Sequence, residues 1–271
     1  MLGAASPADL RERFDKAGKS LRRASDAIDD HDPGRVSLLL RRADEEIGAF
    51  ETDSGLESLI AAIAATRSAV ARDDWAGAGT ALRAGRAGMV SLSDYSVPRS
   101  AEVAFRAAQT ALALPDRDGT LAALTRLEAA TLAPALQARL RAAREAVARG
   151  RTMMVRNDMK GGRIEVDAAR GALNAVSYAG ALSGARYGLM VAAELLRDRA
   201  LLAARDQAQK GLRDLRTAIE LAPEAAKAAL TEVQTEATDI WRRINHAGAG
   251  DADRLAADSE SIETMRQQLL P

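Results

Sequence analysis

Leu21-Arg22-Arg23-Ala24-Ser25-Asp26-Ala27-Ile28-Asp29-Asp30-His31-Asp32-Pro33-Gly34-Arg35-Val36-Ser37-Leu38-Leu39-Leu40 is the stretch on which the fold turns. Leu21 and Ile28, with Ala24 and Ala27 between them, mark one apolar face of a helix. Acids and a histidine interrupt it, and Asp32-Pro33 sets a capping carboxylate before a proline at the first helical position. Val36 and Leu40 open the apolar face of a second helix. Joined by so short a turn, the two helices are expected to run antiparallel, as a hairpin.

The pattern recurs along the chain. Ile28, Val70 and Leu112 are 42 residues apart, and the next anchor is read at Leu173, 61 residues on. On this reading about 19 residues are inserted before the fourth unit. Seven before each anchor stand Leu21, Ile63, Phe105 and Val166; four before stand the small Ala24, Thr66, Ala108 and Ala169. Twelve after stand Leu40, Leu82, Leu124 and Ala185. The turns read as Asp29-Asp30-His31-Asp32, Arg72-Asp73-Asp74, Pro115-Asp116-Arg117-Asp118 and, in the fourth unit, Asn174-Ala175-Val176-Ser177. A lone hairpin cannot bury its apolar stripe, so hairpins must stack.

The fold expected is therefore all-α: about ten helices in stacked antiparallel hairpins, forming a short solenoid or a bundle. Residues 7–135 hold three hairpins and 136–163 a basic insertion. Residues 164–270 hold the fourth hairpin and the C-terminal helices, all packed as one domain. Ser54-Gly55-Leu56-Glu57 reads as a capping box and Gly250-Asp251 as a stop followed by a new cap. Ala179–Leu221 has no proline and reads as one long helix, or as two with a kink near Gly188 or Gly211.

Composition narrows the function. The 271 residues carry 38 basic and 38 acidic side chains, a balance that argues against general nucleic-acid binding. With no cysteine, thiolate catalysis, disulfides and Cys-ligated metals are excluded. Absence of a thiol fits an exported protein slightly better than a cytoplasmic one. No run of about 18 apolar residues suggests a membrane span. Met1-Leu2-Gly3-Ala4-Ala5-Ser6 lacks a basic segment followed by an apolar one; it reads as an ordinary cytoplasmic start or as a chain whose leader was trimmed.

Chemistry-bearing patterns are few. His31 stands in an acidic turn without the distal glutamate of a calcium loop, and His246 stands near a helix end. Glu145 with Arg141 and Arg149 reads as helix-surface pairing. No G-x-S-x-G, phosphate loop or Glu-x-x-His pattern occurs, so neither an enzyme nor a cofactor or metal site is expected. Residues 137–163 carry eight cations against Glu145 and Asp158. Arg144, Arg151, Arg156, Lys160 and Arg163 are the candidate partner-binding residues, for an acidic protein, anionic lipid or polyanion. The competing reading is a solvated arginine face balanced by acids in 220–239 or 251–263. Trp75 and Tyr178 are placed at matching turns of the second and fourth hairpins.

Two segments carry a resemblance to known proteins. Ile164-Glu165-Val166-Asp167-Ala168-Ala169-Arg170-Gly171-Ala172-Leu173, then Tyr178, Ala181-Leu182 and Ala185, form one; Pro115-Asp116-Arg117-Asp118-Gly119-Thr120-Leu121-Ala122-Ala123-Leu124 forms the other. Together they resemble the helical pattern of the bacterial YfdX family and are similar to tetratricopeptide-like hairpins. The turn Asn174-Ala175-Val176 departs from the glycine–acid turn of those families, and the chain runs about 80 residues past the match. The YfdX resemblance implies an exported, periplasmic, stress-related helical protein that self-associates, and it carries over no site residue. The function expected is a non-enzymatic binding or scaffolding protein for a protein or peptide, a second copy included. The alternative is a carrier of a hydrophobic small molecule held between Ala- and Gly-rich helices.

Overall fold

A computed structural model describes residues 7–91, 98–131 and 133–268. Among them are twelve α-helices and no strand, so the chain is all-α. In chain order these are α1 (Pro7–Asp29), α2 (Pro33–Asp53), α3 (Leu56–Ala71), α4 (Trp75–Ala84), α5 (Arg86–Ser91) and α6 (Pro98–Ala113). There follow α7 (Arg117–Thr131), α8 (Ala133–Val155), α9 (Met159–Arg197), α10 (Leu201–Leu221), α11 (Glu224–Arg242) and α12 (Ala249–Gln267), with a 3₁₀ turn at Ile244–His246. The chain forms two compact units, one of Met1–Ser93 with Ala101–Val176, the other centred on Ser177–Pro271.

Five turns between helices share one geometry. A residue with positive φ marks each hairpin tip: His31 at 55°, Asp73 at 58°, Asn157 at 57° and Arg199 at 56°, with Pro115 in the equivalent place. These five positions are spaced by 42 residues without a gap. The next residue donates its N–H to a carbonyl five positions back: Asp32 to Ala27 at 3.0 Å, Asp74 to Ala69 at 3.0 Å, Asp116 to Ala111 at 2.9 Å, Asp158 to Met153 at 2.9 Å and Ala200 to Leu195 at 2.8 Å. This is a left-handed stop that satisfies an orphan carbonyl of the outgoing helix. In the first four tips the same aspartate caps the incoming helix, accepting from the N–H of Arg35, Gly77, Gly119 or Gly161 at 2.8–2.9 Å. The left-handed residue costs roughly 1–2 kcal/mol where it is not glycine. A capping aspartate contributes roughly 1 kcal/mol in return, so the tip is close to neutral and its value lies in fixing the turn.

The fourth unit therefore begins at α8, and Met154 and Leu196, both buried, continue the 42-residue anchors. There is no insertion: 136–163 is the first arm of the fourth hairpin, its tip and the start of the second arm. Asn174–Ser177 is not a turn but lies within the 39-residue α9. Asn157, not Asn174, takes the left-handed position, because Asp158 follows it and caps α9. Val166 is buried as expected, on the second arm rather than the first.

In the first unit the last hairpin returns to the first. α2 packs on α1 and on α8, and α3 packs on α4, α5, α7 and α8. Small residues permit the α2–α8 approach: a Cβ on Gly150 would stand 3.2 Å from Leu40 Cδ1. Between α1 and α2, Phe14 and Phe50 meet edge to face at 5.4 Å. Ser54-Gly55-Leu56-Glu57 is not a capping box. Gly55 is left-handed at φ 65°, its carbonyl lies where a Cβ of Gly88 would stand, and Ser54 Oγ accepts the Leu56 N–H at 3.3 Å.

In the second unit, Ala179–Leu221 breaks at Asp198–Ala200 and at neither glycine. Gly188 and Gly211 instead face each other where α9 crosses α10; a Cβ on Gly188 would lie 2.6 Å from Gly211 Cα. Leu182, Leu189, Leu215, Leu230, Ile240, Leu255 and Ile262 fill the core with intervening alanines. Helix α12 begins at Ala249, so Asp251 lies inside it, and its carboxylate accepts the Gly248 N–H at 3.0 Å.

Candidate functional site

The basic stretch divides into cations that hold the fold and cations that do not. Arg144 on α8 reaches across to α2, with Nε 2.9 Å from Asp44 and a terminal nitrogen 3.0 Å from Glu51. The Asp44 bond is the main cause of its raised pKa. Arg163 on α9 donates to Ser25 Oγ at 2.6 Å and pairs with Asp29, both on α1. Arg149 pairs with Glu165 at 3.0 Å rather than with Glu145. The balancing acids thus lie in α1, α2 and α9, not in 220–239 or 251–263. Arg151, Arg156 and Lys160 are exposed, and among the described residues they form no ion pair. Val155 and Ile164 beside them are also exposed.

His31 sits at its tip with Nδ1 2.9 Å from the Asp29 carbonyl oxygen. Among the described residues no group of three or more His, Cys, Asp or Glu side chains is placed to hold a metal. Trp75 opens α4 half-buried. Tyr178 is not at a turn: it is buried within α9, and burial raises its phenol pKa.

The second unit contains a concavity the sequence reading missed. It lies between α11 and α12, holds about 800 Å³, and is open. Its lining is Glu232, Thr235, Glu236, Asp239, Arg242, Arg243 and Arg254. Spacing along α11 explains the first five, since 232, 235, 236, 239 and 242 recur at three and four residues. Arg242 pairs with Asp239 at 3.5 Å, Arg243 with Asp251 at 2.8 Å, and Arg254 stands 3.9 Å from Glu236.

Asp258 lies one turn beyond Arg254 on α12 and is only 6% exposed. Its Oδ2 is buried without a hydrogen-bond partner. Burial, then the charges of Glu236 and Glu232, push its pKa up to about 7. The sequence held a signal for it: Ala252, Leu255 and Ile262 set the buried stripe of α12, and 258 falls on that stripe.

A second buried charge is satisfied. Arg266, 2% exposed, grips Glu263 through two bonds of 2.7 and 2.8 Å, and Arg186 reaches Glu263 at 3.2 Å. Burial works to raise the Glu263 pKa, but the bond from Arg266 and the two guanidinium charges hold it below the ordinary value. Burial lowers the Arg186 pKa. This cluster is a structural clasp whose partners are already in place.

No protein-family model, curated protein or solved structure matches the chain. No helix among the described residues is long and apolar enough to cross a membrane.

Proposed function

We propose that this chain is a non-enzymatic helical-repeat binding protein whose ligand is a segment of another polypeptide. The observation that carries the reading is the α11–α12 concavity, open and lined by charged side chains of both signs. A carrier of apolar small molecules needs an enclosed, mostly apolar cavity. Here Gly188 and Gly211 bring α9 and α10 into backbone contact and leave no room for a ligand at that crossing. An acid–base enzyme would want two buried acids on one cleft. Among the described residues Asp258 is the buried acid, and Glu232 nearby is exposed.

The cysteine-free composition and the YfdX-like pattern support a periplasmic location. Native mass spectrometry of the protein from its own cells tests the function. The expected species are the bare chain and complexes whose added mass is a polypeptide. A small apolar molecule on every chain would replace this reading with the carrier.

A further inference from the structure

We infer that α12 is a gate on the α11–α12 concavity, seated while Asp258 is protonated and swung away from α11 when Asp258 ionises. The inference concerns a wall of the site and stands whether or not its occupant is a polypeptide. Two ion pairs set the register of α12 against α11: Arg243 with Asp251 at 2.8 Å, and Arg254 with Glu236 at 3.9 Å. The two helices therefore run antiparallel, and one turn beyond the second pair Glu232 on α11 stands level with Asp258 on α12. Two more ion pairs set α12 against α9: Arg197 with Asp253 at 2.9 Å, and Arg186 with Glu263 at 3.2 Å. They fall on either side of Asp258, and between them α9 carries Tyr187 and Glu194 as titratable groups and no cation. Asp258 thus meets Glu232 and Glu236 from α11, while Arg254, one turn back on its own helix, stands by Glu236.

Asp258 is 6% exposed, and its Oδ2 has no hydrogen-bond partner. A protonated carboxyl can sit on the buried stripe of α12; an ionised one needs water or a cation. Burial denies it the first, and the arginines around it are engaged with other carboxylates. A pKa pushed up to about 7 agrees with that geometry. The ties of α12 decide how it gives way. Those to α9 bracket Asp258, whereas both pairs from α11 lie before it, and the nearer one, at 3.9 Å, is beyond hydrogen-bond reach. The motion that keeps the α9 ties is a roll of α12 upon them, which parts its later half from α11. Arg254 lines the concavity from α12, so the same roll widens it. The folded state with a seated α12 holds a proton that the opened state releases, so opening rises as pH passes upward through about 7.

Distances between paired spin labels test this on the full chain, whose lack of cysteine lets labels be placed at will. One pair, Thr231→Cys with Ser261→Cys, spans α11 and α12; a second, Lys210→Cys with Thr231→Cys, spans α10 and α11. All three positions are exposed. The first distance is expected to be longer at pH 8 than at pH 6, and the second to be equal at both. Asp258→Asn should hold the first distance at its pH 6 value throughout. Glu232→Gln removes the facing charge and should move the midpoint of the change to lower pH. An equal first distance at pH 6 and pH 8 without further substitution would overturn the gate. A shift that survives Asp258→Asn would overturn Asp258 as its trigger. Lengthening of both distances would show the unit loosening as a whole and would overturn the pivot on α9.

Discussion

Asp258 has a consequence for stability that its surroundings dictate. Its pKa is about 7 in the fold and 3.8 as an ordinary aspartate. Between those values the folded state holds a proton that the unfolded chain releases, so stability falls as pH rises from about 4 to about 7. Three pH units correspond to a ceiling of about 4 kcal/mol. Asp258→Asn should therefore raise the melting temperature at pH 8 and leave it nearly unchanged at pH 4. Equal gains at both pH values would show that the carboxylate does not titrate as described. The residue scale is also where sequence reading was weakest. Asp258 stands among the acids of 251–263, and a charge tally does not say which face of a helix a residue occupies. Arg144 and Arg163 stand among the candidate partner-binding residues for the same reason, although Asp44, Glu51 and Asp29 hold them.

At the scale of elements, two of the glycines of the long helix α9 make opposite predictions. Ordinarily alanine is favoured over glycine within a helix by about 1 kcal/mol. At Gly171 on α9 nothing lies within 4 Å of an added Cβ, so Gly171→Ala should stabilise by up to about that amount. At Gly188 the added Cβ would meet the Gly211 backbone at 2.6 Å. There α9 and α10 must part, and the expected change is a loss of roughly 1–3 kcal/mol. Denaturant midpoints of the two variants check the contrast; a stabilised Gly188→Ala would mean the crossing is looser than described. Most elements were legible because apolar spacing, prolines and aspartate caps agree with one another. Positive-φ residues stand at His31, Asp73 and Pro115, within the turns read for the first three units. In the fourth unit the turn read at Asn174–Ser177 lies inside α9 instead, because an alanine-rich helix matches itself in several registers. The capping aspartates at 32, 74, 116 and 158 were the cleaner ruler, since a cap marks a turn and an alanine does not.

At the scale of the molecule, the all-α class was readable from composition, whereas the return of the fourth hairpin onto the first was not. Periodicity says that hairpins stack, but it does not say which faces meet. The ion pairs from Arg144 span about 100 residues of chain and mark that return. They set one more test. Arg144→Glu faces two carboxylates and should cost about 1–2 kcal/mol, twice the value of a typical partly exposed pair. Arg151→Glu and Arg156→Glu should change stability by less than about 0.5 kcal/mol. If thermal denaturation ranks all three alike, the basic stretch has no structural half.

The return also orders events during synthesis. The α1–α2 hairpin is complete long before α8 exists, and its seam has no partner until about 100 more residues have been made. At roughly 5–20 residues per second that is a delay of about 5–20 s. For that interval a nascent chain displays Leu40 and Gly48, which Gly150 and Arg144 meet in the finished fold, as an uncovered surface open to any chaperone waiting near the ribosome.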